Sequence, residues 1–232
     1  MGDDAEGALF QNTIDYGFRQ PLVDGAELVR PQPIGTDHNY RFDTRFAFWS
    51  VVALRPPATA DYDLILFDDR DQQQRLEDSV QGTGVVDFVA IDSNAGRRPL
   101  GDYYPRVTHL SGTGDYVIEL ADSGSLLPAT GTRAMGANDL VAVWDVCLQA
   151  NEQVTITVTP GAATQDAELF LMRSDVGNPS THVRDRLSAV ASATGQGAGT
   201  AETFTYTAPE FSCHGFVLIN KAGAGAYTIT RS

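Results

Sequence analysis

Lysine is almost missing from this chain. Of its 16 basic residues only Lys221 is lysine, set against 30 acidic residues and a formal net charge of −14. That balance is what a GC-rich genome or a salty habitat leaves behind. With a sequence pI of about 4.5, the summed field repels phosphate backbones and anionic lipid surfaces, which argues against a nucleic-acid partner. Long hydrophobic runs are missing too. None approaches the ~20 apolar residues of a membrane span, so no membrane insertion is expected. The start, MGDDAEGALF, lacks the basic and apolar regions of a signal peptide. A Met-Gly start placed on a mature protein leaves export open, and the expected location is extracellular or cell-surface.

Cysteine and histidine are scarce. Cys147 and Cys213 lie in no CxxC and no Cys/His cluster, and they read either as one disulfide or as two buried thiols. The four histidines, His38, His109, His182 and His214, are scattered. They form no HExxH and no pair at metal-ligand spacing, and no GxSxG elbow, P-loop or Cys-His signature accompanies them. His182 stands near Asp185, but two such residues read first as ordinary surface groups. The chain is expected not to be an enzyme.

What is present points to β-structure. There are 22 glycines and 11 prolines, threonine and valine recur in short runs between turn residues, and no long stretch has helical periodicity. A length of 232 residues suits one large β domain or two of about 100 residues.

An internal echo decides between them. FAFWSVVAL, Phe46 to Leu54, looks like VAVWDVCL, Val141 to Leu148. Matching Trp49 to Trp144 fails downstream, because DYDLILF and DAELFLM then require the first copy to lose a strand, stranding backbone groups in its neighbours. A gap-free alignment instead sets Phe48–Leu64 over Gln153–Leu169, with Asp37 on Asp139 and Phe42 on Trp144 just before it. The copies close alike: Tyr103 to Leu120 lies over His214 to Arg231, with Gly112, Gly114 and Tyr116 on Gly223, Gly225 and Tyr227. VDFVA from Val86 matches FTYTA from Phe204. The Trp49 echo is therefore a decoy. The expected architecture is all-β, two tandem antiparallel β-sandwich (jelly-roll-like) domains of roughly six strands each. The boundaries are an acidic arm at 1–7, a first domain at 8–121, a linker at 122–133 that suits a hinge, and a second domain at 134–232. In this register Cys147 ends the first strand of the second copy and Cys213 precedes the strand at Gly215, which places the two on neighbouring strands and predicts the disulfide Cys147–Cys213.

The order of these blocks resembles the bacterial pre-peptidase C-terminal domain. The matching pieces are the Asp-led first strands (Asp37, Asp139), the Asp-x-Asp/Glu-Leu strands (Asp61 to Leu64, Asp166 to Leu169) and the closing Gly-x-Gly-x-Tyr hairpins. The long insert from Ser174 to Glu202 departs from that pattern and reads as a mobile loop or an added interaction edge. The resemblance implies a non-catalytic accessory role in exported proteins, and some similar domains bind calcium.

Candidate surfaces follow from residue chemistry. Asp61 and Asp63 share one face of a strand, and Asp68 and Asp69 cluster in the loop beyond, a set of hard oxygens of the kind Ca²⁺ takes. The bland alternative is solvated turn residues. Arg97, Arg98, Tyr103 and Tyr104 combine the side chains favoured in binding hot spots, against the reading that they cover a sheet edge. The expected function is a non-catalytic extracellular accessory or adhesion module that binds a surface, a polymer such as a polysaccharide, or a protein. The alternative is a self-associating structural subunit of a surface layer or fibre.

Overall fold

The structure, a computed structural model, describes residues 19–45, 48–94, 101–122, 124–174 and 182–232. Strands make up nearly all of the regular structure among them, and they form four sheets. The first sheet runs in the order β1 (Gln20–Pro21), β3 (Asp37–Asp43), β8 (Asp102–Ser111), β5 (Asp61–Phe67), β6 (Arg75–Ser79). Its partner is β14 (Val183–Asp185), β7 (Asp87–Asp92), β4 (Trp49–Arg55), β9 (Tyr116–Asp122), β2 (Leu28–Arg30). The second half builds β11 (Val141–Leu148), β17 (Ser212–Ala222), β13 (Asp166–Met172), β15 (Ala189–Ala193), and opposite it β10 (Thr130–Met135), β18 (Gly225–Arg231), β12 (Gln153–Pro160), β16 (Glu202–Thr207). Apart from the parallel β1–β3 contact, the pairing between these strands is antiparallel.

The strand orders repeat. The series β3-β8-β5-β6 has its counterpart in β11-β17-β13-β15, and β7-β4-β9-β2 in β16-β12-β18-β10. Trp49 is on β4 and Trp144 on β11, strands that do not correspond, so the echo between them is a decoy. Registers differ from the gap-free alignment in detail. Phe42 faces Tyr103 while Val146 faces His214, which puts Trp144 on Tyr40 rather than on Phe42. A slip of two keeps the side-chain face. Val52 sits between Leu120 and Val89, as Ile156 does between Arg231 and Phe204. Val52 therefore corresponds to Ile156 and not to Thr157, and Phe204 corresponds to Val89 and not to Val86.

The sheets stack in four layers with three apolar seams. One seam lies inside the first sandwich (Tyr40, Val52, Leu64, Val89, Val107, Ile118), one inside the second (Val146, Ile156, Leu169, Phe216, Ile229), and the third between them. The third joins Trp49, Val51, Phe88 and Ala90 to Val141, Val143, Phe170 and Val217. Strands in the two middle sheets therefore lose both faces to packing, and they read as unbroken apolar runs: β4, β7 and β9 are buried almost throughout. Outer strands such as β12 and β18 alternate instead.

This arrangement explains the decoy. FAFWSVVAL and VAVWDVCL look alike because β4 and β11 face each other across the middle seam, both doubly buried, with the Trp49 backbone N–H donating to Asp145 Oδ1 at 3.0 Å. Shared surroundings produced the likeness. It also removes the expected hinge. Leu127 is buried in the second core, and the segment before it pairs alongside β11, Asp145 N–H donating to Ser125 O and Leu127 N–H to Asp145 O. The last residues assigned to the linker are the start of β10.

Two further features complete the fold, and both answer expectations from the sequence: an added edge from the insert, and the disulfide. The Ser174–Glu202 insert, as far as it is described, carries β14, a short 3-10 turn and β15. β14 pairs with β7, so the second half supplies an edge strand to the first sandwich. The disulfide Cys147–Cys213 joins directly opposed residues of β11 and β17.

Candidate functional site

A cleft of about 360 Å³ opens where the two halves meet. β10 and β11 are edge strands of the second sandwich's two sheets, and the gap between them is bordered by the end of β9, the Asp24–Gly25 turn and the Gly124–Ser125 segment. Trp144 forms part of its wall. Its neighbours on β11, Val143 and Asp145, turn toward the middle seam, so alternation sends Trp144 the other way, to the open margin of the second core. There it stays half-buried and stacks on Phe216 at 5.7 Å between centroids.

The polar groups of the cleft differ in how far they are engaged. Asp122 is buried, accepting from Ser50 Oγ at 2.6 Å and from the Arg45 N–H at 2.9 Å. Burial raises its pKa, and the Asp24 charge adds to the rise. Asp24 is exposed and accepts the Asp122 backbone N–H on Oδ1, at 2.8 Å. Arg133, on the inward face of β10, has its Nε buried without a hydrogen-bond partner, and its charge is felt by Glu119 across the seam. Glu119 itself accepts the Leu140 and Val141 backbone N–H groups, and burial pushes it up to about 7.

The groups singled out by sequence lie elsewhere. Asp61 and Asp63 occupy the outer side of β5, and burial, reinforced by Asp61 and Asp78, pushes Asp63 up to about 6. Asp69 closes its own turn by accepting the Gln73 and Gln74 N–H groups. Among the described residues no group of three or more His, Cys, Asp or Glu is placed to hold a metal ion, so the acidic set, Asp68 included, is not gathered round one point. Tyr103 is fully buried on β8 and stacks on Phe42 at 5.4 Å, so it offers no contact surface. Alternation leaves Tyr104 on the outer face, with the Arg19 guanidinium 5.8 Å over its ring. Arg97 and Arg98 lie outside the described residues. Asp185 caps the 3-10 turn by accepting from Ser188, and the His182 carbonyl accepts the Asp92 N–H.

The two outward faces of the stack contrast. That of the β10-β18-β12-β16 sheet is a threonine lattice with no charged side chain directed outward, cross-linked by Oγ1 pairs Thr155–Thr205 and Thr157–Thr203 at 2.9 Å. The first sheet's outer face carries Asp37, Asp63 and Arg106. Sequence reasoning used Trp144 to set the register of the repeat and did not find Asp24, Asp122 or Arg133, which share no motif. A cleft assembled from positions 24, 122, 133 and 144 exists only once the seam has formed.

No family model matches the sequence, and no curated protein matches it. Solved structures give distant likenesses. The tandem CBM22-1–CBM22-2 domain of Paenibacillus barcinonensis Xyn10C aligns at 9% identity over 93% of this chain and 99% of that one, with a TM-score of 0.24. A putative secreted protein from Eubacterium rectale aligns at 9% over 83% and 67%, TM-score 0.24. The turret protein A223 of Sulfolobus turreted icosahedral virus aligns at 9% over 89% and 99%, TM-score 0.21. The fold class rests on this chain's own sheets, and no helix among the described residues is long and apolar enough to cross a membrane.

Proposed function

We propose that this protein is a non-catalytic extracellular binding module, an accessory or adhesion unit that attaches to a polymer, surface or protein. The observation that carries the reading is the cleft at the seam. It is the place among the described residues where an aromatic wall, an acidic side chain and an incompletely partnered arginine converge on a concavity of small-molecule size. The disulfide supports export, since such bonds persist in oxidising compartments. The block order shared with pre-peptidase C-terminal domains supports an accessory role, and the reading requires no metal.

The alternative, a structural subunit stacked through repeated copies of the same contact, is not favoured. At the middle seam Trp49 enters a space left by Gly215, where a Cβ would lie 2.5 Å from the indole. By strand correspondence the free faces carry Gln153 in place of the Trp49 knob and Tyr104 in place of the Gly215 hole. A further copy therefore finds neither partner, and head-to-tail growth of the kind that makes filaments stops at one chain. The test is a pull-down of the folded protein on insoluble polysaccharides together with light scattering in solution. The reading expects retention on at least one polymer by a monomer. A monomer retained on none, or a concentration-dependent oligomer, would count against it.

A further inference from the structure

We propose that the seam cleft is a subsite for one or two rings of a neutral saccharide, with the Trp144 indole as the stacking wall and Arg133 and Asp24 as the hydrogen-bonding pair. The proposal rests on the binding-module reading and gives it a ligand class and a place.

The chemistry of the lining selects the ligand. Arg133 only donates hydrogen bonds and Asp24 only accepts them. A carboxylate or phosphate ligand would suit Arg133 but would meet Asp24, the buried Asp122 and the field of a chain carrying −14. A cation would suit Asp24 but would meet the guanidinium. A sugar hydroxyl donates and accepts at once, so a neutral polyol satisfies both without an unpaired charge. The C–H faces of a pyranose ring suit an aromatic surface, and Trp144 offers one already braced by Phe216. A volume of about 360 Å³ is at the lower end of small-ligand sites, which fits a short stretch of glycan and not a long groove.

The cleft is also held in advance. Asp24 is fixed from below by the Asp122 N–H, the Ser125 and Leu127 backbone is paired along β11, and Arg133 stands on a strand anchored through six successive pairs to β18. A prepaid geometry of this kind favours binding, because little ordering is left to do on association.

The test is titration calorimetry of the intact protein with neutral hexasaccharides (cellohexaose, xylohexaose, mannohexaose, chitohexaose), with a heparin hexasaccharide as the charged control. The expected result is binding of at least one neutral probe in the ~1 μM to ~1 mM range and no heparin binding. Trp144→Ala and Asp24→Asn should each weaken it about tenfold or more, equivalent to about 1.4 kcal/mol. Asp24 is exposed and Asn keeps the bond to Asp122, so the second variant stays folded even if loss of the indole loosens the core. If no neutral probe binds at ~10 mM, or if affinity is unchanged in Asp24→Asn and Trp144→Ala alike, the proposal is overturned. Retention on an insoluble polymer that both variants preserve would sink this site alone and leave the module reading standing. Absence of any retention would remove both.

Discussion

At the scale of single residues, the contact that joins the two halves is a tryptophan seated against a glycine. Trp49 has no exposed surface; its backbone N–H donates to Asp145 and its Nε1–H to the Cys213 carbonyl, both at 3.0 Å. Any side chain at Gly215 must displace the indole or the strand. Gly215→Ala is therefore expected to destabilise by about 1–3 kcal/mol through overpacking, read as a lower urea midpoint at unchanged slope. An unchanged midpoint would mean that the seam yields easily. The carboxylates of the molecule form the second residue-scale feature. Burial pushes Asp87, Glu119 and Asp145 up to about 7 each, so the folded state binds more protons than the unfolded chain between about pH 4 and pH 7. Stability from these groups is fully present below their ordinary values and is lost as pH rises through 7. Denaturant unfolding should show a more stable protein at pH 5.5 than at pH 8. Glu119→Gln, which keeps an acceptor for the Leu140 and Val141 N–H groups, should reduce that difference by about 1–2 kcal/mol. A stability that falls steadily from pH 8 to pH 5.5 would contradict the assignment.

At the scale of elements, β14 tests how the halves depend on each other. Val183 on this strand is buried in the first sandwich's core although it comes from the second half, and it pairs with Ile91. Val183→Asp should cost about 2–4 kcal/mol by placing an unpaired charge in that core. It should also expose the β7 edge, seen as faster amide exchange at Asp92, whose N–H donates to the His182 carbonyl at the start of the β14 segment, than at Ile219. Equal protection at both would mean that β14 is dispensable. Much of the element plan was legible in the sequence because it rests on local chemistry. The closing hairpins were found through Gly112 and Gly223, which take φ of 85° and 82° and let the hairpin approach the backbone at Thr59 and Thr164 respectively. Periodicity showed β5 and β12 as strands because they alternate. The short strands β1, β2, β14 and β15 carried no such signal, and a gap-free alignment could not see the one-residue slip between β4 and β12, since both faces of β4 are apolar. The cleft was not legible, because its residues come from four places that only the middle seam brings together.

At the scale of the whole molecule, two sandwiches become one four-layer body. The copies meet through non-equivalent sheets, so each keeps one sheet outside, and those free faces have diverged into a charged surface and a threonine lattice. The shared middle seam couples the halves, and calorimetry should show a single cooperative transition whose van't Hoff and calorimetric enthalpies agree; two separated transitions would mean independent domains. The same seam creates the cleft, and this is where fold and proposed function join. The most direct test follows the two tryptophan indole N–H signals by NMR while a neutral hexasaccharide that the protein retains is added. The account predicts that the Trp144 signal shifts with saturation and that the Trp49 signal, locked onto Cys213, stays in place. A bound sugar that leaves Trp144 unmoved would contradict it.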